Sequence, residues 1–257
     1  MRPKLAFGRT TTWLTAILSL NLLAYQACRA DPVQDPPAET TEEASLNAKH
    51  SEMLRSQKYD QLDREMNQVQ QEYEAGERSD INLLHLFRAF YDTDPSLKDR
   101  YSEWIRRFPQ SYAAHESQGI YFRRVGYQAR GTEYAKDTSS EKLSEMERYL
   151  NLSAQSHYQA IKLSAKPLLS YFSLLSIARL SGDGEAAQQM LRRAVEIAPN
   201  NFIARYKYML MLEGRWGGSL AAMKAFRTES QNAGISASLL QYFDELISDE
   251  VRWQQAR

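Results

Sequence analysis

The sequence predicts an all-α fold built from stacked pairs of helices. Its 257 residues include only 11 Gly and 8 Pro, too few for the many turns of a loop-rich β fold. Long stretches mix charged and apolar residues without a proline, and their apolar residues recur with the 3.6-residue period of a helix. With 43% apolar and 25% charged residues, the chain can bury a substantial core.

Residues 1–30 have the features of a secretory signal peptide. Three basic residues lie within the first nine positions, a mostly apolar run follows at 13–25, and small residues stand at Ala27 and Ala30. The apolar run is shorter than the roughly 20 residues that a membrane-spanning helix needs. We therefore expect cleavage after Ala30 and no stable membrane span in the mature chain, with an uncleaved anchor as the alternative.

The only cysteine, Cys28, lies where bacterial lipoproteins carry their lipidated cysteine. A bulky residue three positions earlier, Tyr25, departs from the lipoprotein pattern. We expect an exported protein of the periplasm or the extracellular space, and a form anchored by lipid at Cys28 is the alternative. Cleavage after Ala30 would leave a chain that has no cysteine and so forms no disulfide.

Residues 31–48 are acidic and proline-rich, with almost nothing to bury, which predicts a disordered linker. The helical domain is expected from 49 to 257. Without residues 1–30, which hold four of the 32 basic residues and no acid, the chain has 28 basic and 32 acidic residues. This balance gives no general attraction to nucleic acid, because nucleic-acid binding depends on neutralising phosphates.

Two predicted helices have clear start or stop signals. Asp94 caps the first and Pro109 stops it. Thr138 and Glu141 have the spacing of a capping box, which predicts a second helix running to about Ser164. The apolar stripe of the first helix comprises Leu97, Tyr101, Trp104, Ile105 and Phe108.

Residues 167–200 predict a helix, a turn at 181–184 and a second helix that stops before Pro199. The apolar positions are Tyr171, Leu174, Leu175 and Ala178 in the first helix and Ala187, Leu191, Ala194 and Ile197 in the second. This segment resembles one tetratricopeptide (TPR) repeat, a helix-turn-helix unit of about 34 residues. The resemblance implies a right-handed α-solenoid of TPR-like helix pairs over 49–257, although Tyr171, Leu175 and Ala178 depart from the repeat pattern.

A second resemblance runs over roughly residues 50–230. The segments that carry it are Tyr59-Asp60-Gln61-Leu62, Trp104 with Phe108-Pro109-Gln110-Ser111, Ala129-Arg130-Gly131, and Arg215-Trp216-Gly217-Gly218-Ser219 with Met223 and Phe226. Together they are similar to the bacterial family called domain of unknown function 4034. The resemblance implies a helical-repeat fold in a bacterium and brings no activity with it.

The sequence predicts no catalytic, cofactor-binding or metal-binding residues. Its four histidines have no metal-ligand spacing and no cysteine ligands beside them. Gly182 and Gly184 fit the spacing of a dinucleotide-binding loop, but that loop follows a strand, whereas a helix is predicted here. A turn between two helices accounts for both glycines.

A mixture of aromatic and basic residues is the strongest candidate for a partner-binding surface, because Tyr, Trp and Arg are enriched in the centres of interfaces. In the alternative reading, Tyr121, Phe122 and Val125 lie in the core and their arginine neighbours lie in water. Trp216 then packs over a tight turn in which Gly217 and Gly218 permit positive φ, and Ser219 caps the next helix. The predicted binding residues are Arg124, Arg130, Tyr134 and Trp216.

From these features we expect an exported, non-enzymatic interaction module of the bacterial cell envelope that binds an unidentified protein or peptide. Two alternatives remain open at this point. One is a hydrolase-type enzyme whose site is assembled from dispersed helical residues. The other is a structural envelope subunit that associates with itself.

Overall fold

The structure, a computed structural model, describes residues 37–131 and 137–256 and is helical throughout. This confirms the predicted all-α class: no strand occurs in these two ranges. Two short 3-10 turns, Phe87–Phe90 and Gly214–Trp216, interrupt the α-helices. The helices are α1 (Thr41–Arg55), α2 (Tyr59–Ala75), α3 (Asp80–Leu86), α4 (Leu97–Arg107), α5 (Tyr112–Arg130), α6 (Ser140–Ile161), α7 (Leu168–Ser181), α8 (Gly184–Ile197), α9 (Phe202–Met211), α10 (Leu220–Asn232) and α11 (Ala237–Gln255).

The first helix begins before residue 49, which corrects the predicted boundary between linker and domain. Thr40 and Glu43 form a capping box at its start. Glu43 is buried, and its carboxylate also bonds to His85 at 2.8 Å. The acids that suggested a linker are thus used to start and dock α1, while residues 31–36 lie outside the described residues.

Two helix starts lie one or two residues from their predicted positions. Ser96 is the N-cap of α4, and Asp94 instead accepts a hydrogen bond from the Ser96 backbone N–H at 3.0 Å. Ser139, rather than Thr138, caps α6 by accepting from the Lys142 backbone N–H. Both helices nevertheless form where the apolar period placed them.

The predicted helix-turn-helix at 167–200 is present as α7 and α8. Gly182 ends α7 with a φ of +67°, a left-handed conformation that glycine adopts without strain. Asp183 then caps α8 through the Ala186 backbone N–H. Ala187 and Ala194, two of the apolar positions predicted for the second helix, are fully buried.

Helices α5 and α6 approach each other closely along one line of small residues. A Cβ atom added to Gly119 would lie 2.6 Å from the His157 ring, and one added to Gly126 would lie 3.3 Å from the Met146 backbone oxygen. Ser153 donates a hydrogen bond to the Gly119 carbonyl at 2.7 Å. Glycine is therefore required at position 119 for this helix pair to pack.

The first and last parts of the described chain are joined directly. Helix α3 contacts both α7 and α9. The Asp80 carboxylate, on α3, accepts hydrogen bonds from the backbone N–H groups of Phe202 and Ile203 at 2.7 and 3.1 Å. Since these are free donors at the start of α9, a residue far away in the sequence completes this helix terminus.

Within the two described ranges, no helix is long and apolar enough to cross a membrane. The predicted signal peptide at 1–30 lies outside them.

Candidate functional site: a buried basic and aromatic cluster

Helices α5, α7 and α9 contact one another in series, α5 with α7 and α7 with α9. Side chains from these helices and from the 3-10 turn at Gly214–Trp216 form a group that alternates between basic and aromatic residues. We call it the basic–aromatic cluster. Its members are Arg123, Tyr127, Phe172, Arg179, Lys207 and Trp216.

The ring of Phe172 is the centre of one half of the cluster. The Lys207 ammonium lies 5.1 Å from its centroid and the Arg123 guanidinium carbon lies 6.0 Å from it. Arg123 also lies 5.5 Å from the centroid of Tyr127, one helical turn along α5. A cation over an aromatic face gains about 0.5–2 kcal/mol, more when it is desolvated, so the rings make the burial of these charges less costly.

Arg179 and Trp216 form the other half. The guanidinium carbon of Arg179 lies 5.0 Å from the centroid of the Trp216 ring. Arg179 is only 7% exposed, and its side chain forms no hydrogen bond or ion pair with any residue in the described ranges. Its Nε–H and the Trp216 Nε1–H are both buried and have no acceptor among the described residues.

The charges act together on Tyr127. Burial alone would raise the pKa of its phenol, but the positive charges of Arg123, Lys207 and Arg179, together with a hydrogen bond from Arg123, lower the pKa below its ordinary value. These basic groups therefore outweigh the effect of burial and favour the charged form of the Tyr127 phenol.

Another buried arginine on α9 shows how this fold satisfies a structural guanidinium. Arg205 donates to the Pro199 carbonyl at 3.0 Å and to the Glu229 carboxylate at 3.1 Å. Arg179 is similarly buried and has neither a carbonyl nor a carboxylate partner in the part of the chain that the structure describes. Because an unpaired buried charge is costly, its environment differs from that of a structural arginine.

The turn that presents Trp216 is fixed by two glycines for two different reasons. Gly217 has a φ of +88°, and a Cβ atom on Gly218 would lie 2.1 Å from the Leu212 backbone oxygen. We predicted positive φ at both positions, but Gly218 is required by close packing instead. Ser219 caps α10 by accepting from the Ala222 backbone N–H, as predicted.

A second polar group lies between α5, α6 and α7, and it resembles a catalytic triad in composition only. Ser170 donates to Glu116 Oε2 at 2.5 Å, and His157 Nδ1 lies 3.0 Å from the same oxygen. All three residues are fully buried. The hydroxyl bonds to the carboxylate and not to the imidazole, whereas nucleophilic activation needs the serine on its base. This group connects three helices.

The comparisons with known proteins bear on the family. A model of the domain of unknown function (DUF4034) matches residues 47–185, more than half of the chain. The chain belongs to the DUF4034 family. No curated protein and no solved structure matches it.

The family match covers only part of the cluster in this DUF4034 chain. It includes the cluster residues on α5 and α7 and ends before Lys207 and Trp216. The Arg215–Ser219 segment, which carried much of the resemblance in sequence, therefore lies outside the matched range.

The four predicted binding residues have different positions. Trp216 belongs to the cluster, and Arg130 lies on the same face of α5 as Arg123 and Tyr127 but is buried, with only 2% exposed. Arg124 points elsewhere, its guanidinium 4.7 Å from the centroid of Tyr91. Tyr134 lies outside the described residues.

The alternative reading of this segment is correct for the apolar residues and wrong for two arginines. Tyr121 and Phe122 are buried, and Val125 packs against the core. However, Arg123 and Arg130 are buried too, rather than lying in water.

Of the six cluster members, only Trp216 was among the predicted binding residues, and two of the others, Arg179 and Lys207, share a signal in the sequence. Each is a basic residue in a largely buried helix that has no acid, α7 for Arg179 and α9 for Lys207. A charge in such a helix has no local partner at the spacing of one turn. That pattern could have indicated both residues.

In the described ranges, no group of three or more His, Cys, Asp or Glu side chains is placed to hold a metal ion.

Proposed function

We propose that this DUF4034 chain is an exported, non-enzymatic helical-repeat protein that binds a protein or peptide segment in the bacterial cell envelope. The observation that carries the proposal is the basic–aromatic cluster on three helices in series. A stable monomer gains little by burying several basic side chains around aromatic rings, whereas Arg, Tyr and Trp are the residues that dominate binding surfaces.

The arrangement of helix pairs supports the binding surface. We take α5/α6, α7/α8 and α9/α10 as TPR-like pairs of a right-handed solenoid, whose first helices line one continuous surface. Short turns join the pairs, and Ala187 and Ala194 supply the close contact expected within one pair. The cluster residues of α5, α7 and α9 would then lie just beneath the surface that such arrays use for binding, with the half-buried Tyr127 and Trp216 nearest to it.

Export is proposed from the sequence of residues 1–30. We place the mature protein in the periplasm or outside the cell, with lipid attachment at Cys28 as the alternative. We propose no cofactor, since the proposed activity is binding.

Site-specific cross-linking tests the proposal. A photoreactive phenylalanine derivative is placed at Tyr127, which is half-buried at the edge of the cluster, and in a matched variant at Arg192, which is exposed on α8. After irradiation of cells that express the full chain, we expect a discrete cross-linked protein from position 127 only.

The products separate the alternatives. The same product from both positions, or none from position 127, would contradict a binding surface at the cluster. A product of two copies of this chain would identify self-association and so favour a structural subunit.

A further inference from the structure

A cleft of about 550 Å³ lies between α2, the turn that joins α4 to α5, and Leu163, which follows α6. Its volume is within the range of small-molecule binding sites, about 300–1,000 Å³. The turn carries Phe108-Pro109-Gln110-Ser111, one of the segments on which the family resemblance depended. No residue of the basic–aromatic cluster lines this cleft, so it is a separate site.

Hydrogen bonds between α2 and the turn hold the walls of the cleft together. The Asn67 side-chain amide donates to the Ser111 hydroxyl at 2.9 Å and accepts from the Ala113 backbone N–H at 3.1 Å. Trp104 is fully buried, and its Nε1–H donates to Asp63 Oδ1 at 2.9 Å. The cleft and the orientation of the Asp63 carboxylate are therefore fixed before a ligand binds, which lowers the entropic cost of binding.

Three side chains that line the cleft have hydrogen-bonding atoms without a partner in the described ranges. Asp63 is half-buried, and its Oδ2 accepts no hydrogen bond there, whereas Oδ1 accepts from the indole. The side-chain amides of Gln71 and Gln110 are exposed and bond to no described residue. All three are available to a ligand.

The guanidinium of Arg107, which also lines the cleft, is held in place and has donors to spare. Its Nε–H donates to Glu103 at 2.8 Å, and its central carbon lies 5.0 Å from the centroid of the Tyr59 ring. The two terminal nitrogens of Arg107 donate to no residue in the described ranges. These contacts orient the group without using up its hydrogen-bonding capacity.

The charges and the mixture of donors and acceptors indicate the class of ligand. The lining has one acid, Asp63, and one base, Arg107, which favours a neutral ligand over an anion or a cation. A carboxylate only accepts, a guanidinium only donates, and an amide side chain does both. A hydroxyl group also does both, so neighbouring hydroxyls can bond to all of these groups, whereas each backbone group of a peptide is only a donor or only an acceptor.

We infer that this cleft binds a neutral, hydroxyl-rich ligand, a short oligosaccharide. Asp63, Asn67 and Gln71 follow one another at steps of four on one face of α2 and span about 12 Å of helix. The half-buried Phe108 and Leu163 supply apolar surface for the C–H face of a sugar ring. The inference does not rest on the proposed function, which concerns α5, α7 and α9.

The indole N–H of Trp104 reports on the cleft, because it donates to the carboxylate that the sugar would bind. In a ¹H–¹⁵N spectrum of the purified full chain, its resonance is the one that persists when each of the other three tryptophans is replaced by Phe in turn. The probes are neutral trisaccharides of glucose, galactose, mannose and N-acetylglucosamine. At least one of them should move the Trp104 resonance saturably and leave that of Trp216, outside the cleft, in place.

Two substitutions test the residues of the cleft. Asp63→Asn keeps an oxygen acceptor for Trp104 and removes the charge, so the protein should fold and bind the trisaccharide at least about tenfold more weakly. Gln110→Ala changes an exposed residue of the turn that makes no internal hydrogen bond, and it should weaken binding several-fold. Asp99→Asn is the matched control, because Asp99 is exposed on α4 and lines no part of the cleft; its affinity should equal that of the wild type.

A Trp104 resonance that responds to none of the four trisaccharides would overturn the inference, as would unchanged affinity in both Asp63→Asn and Gln110→Ala. A capped peptide of three alanines is the comparison ligand. If it moved the Trp104 resonance and the sugars did not, the cleft would bind peptide backbone and the inference would be wrong.

Failure of this inference is distinct from failure of the proposed function. The cleft and the basic–aromatic cluster share no residue, so the product cross-linked from position 127 should form in Asp63→Asn as it does in the wild type. Sugar binding without any cross-linked product would instead leave the cleft standing and remove the partner surface at the cluster.

Discussion

At the scale of single residues, the histidines show how this protein places polar groups inside helix contacts. Three of the four lie against a glutamate from another helix, at 2.8–3.0 Å. Each contact joins two different helices, so the pairs act as specific connections between helices. The pairs are His50–Glu65, His85–Glu43 and His157–Glu116.

The close contact of Gly119 with His157 leads to a prediction. Glycine in a helix interior ordinarily costs about 0.5–1 kcal/mol relative to alanine, so Gly→Ala in a helix should stabilise. At Gly119 the added Cβ would meet the His157 ring at 2.6 Å. We expect Gly119→Ala to lower the free energy of unfolding by about 1–3 kcal/mol, measured by urea denaturation.

Gly184→Ala is the matched control, because a Cβ atom there meets nothing within 4 Å and the residue begins α8. This variant should be neutral or slightly more stable. If both substitutions had the same effect, the role assigned to Gly119 would be wrong.

Whether the role of a single residue could be predicted depends on how far away in the sequence its partners lie. The role of Ser219 as a cap follows from its neighbours and was predicted. The burial of Arg123 was not, because a charged residue is normally exposed and its aromatic partner Phe172 is on another helix. Gly119 likewise gave no local signal, since only the fold places His157 against it.

At the scale of elements, most helix ends are fixed by residues close by in the sequence, but the start of α9 is not. Its local cap is Asn201, which accepts from Ala204 N–H. Two further N–H groups are satisfied by Asp80 from α3. The position of α9 could be predicted from the sequence, but this second cap could not, because no periodicity relates residue 80 to residue 202.

We predict that Asp80→Ala destabilises the protein by about 1 kcal/mol, the typical value for loss of a helix cap. The reason is that two backbone donors at the start of α9 lose their acceptor. Asp183→Ala, which removes a local cap of α8, should have a similar effect in the same denaturation experiment. An Asp80→Ala variant as stable as wild type would show that water replaces the carboxylate without cost.

Asp80→Asn should differ from Asp80→Ala in stability, and its effect should depend on pH. Burial raises the pKa of Asp80, although the N–H groups of Ile203 and Phe202 act in the opposite direction. A raised folded-state pKa means that stability is lost as pH rises through it. Asparagine keeps an oxygen acceptor without the charge. We therefore expect the free energy of unfolding of Asp80→Asn to equal or exceed that of the wild type at pH 7. At pH 3 the difference between the two should shift in favour of the wild type. The opposite change with pH would contradict the effect of burial.

At the scale of the whole molecule, the all-α class and the DUF4034 family could be predicted, and the basic–aromatic cluster could not. Helical period and capping are local properties, readable within one or two turns. The cluster needs α5, α7 and α9 to come together, which depends on packing across many residues. Arg124 and Arg130 were both predicted binding residues, and only the packing shows which face of α5 meets Tyr91 and which meets Phe172.

The docking of α1 on α2 makes the stability of the whole protein depend on pH. Burial lowers the pKa of His50, although its bond to Glu65 opposes the effect. Burial would raise the pKa of Glu65, but hydrogen bonds from Lys49, Gln61 and His50 lower it to about 2. In both cases the folded state binds fewer protons than the unfolded chain, so stability falls as pH falls.

His50 and Glu65 should change the stability of the protein over different pH ranges, so their effects can be tested separately. His50 should reduce stability as pH falls below about 6.5, its ordinary pKa, and Glu65 between about 4.5 and 2. His50→Gln keeps a donor for Glu65 and removes the titration. Its unfolding free energy in urea should therefore stay level from pH 7 to 5, where that of the wild type declines, and then fall below pH 4.5 with the wild type. His115→Gln is the control, because the half-buried His115 bonds to the Pro109 carbonyl and not to a glutamate. Its unfolding free energy should follow that of the wild type at every pH. If the His50→Gln curve instead ran parallel to the wild type from pH 7 to 5, the titrating group would be another residue.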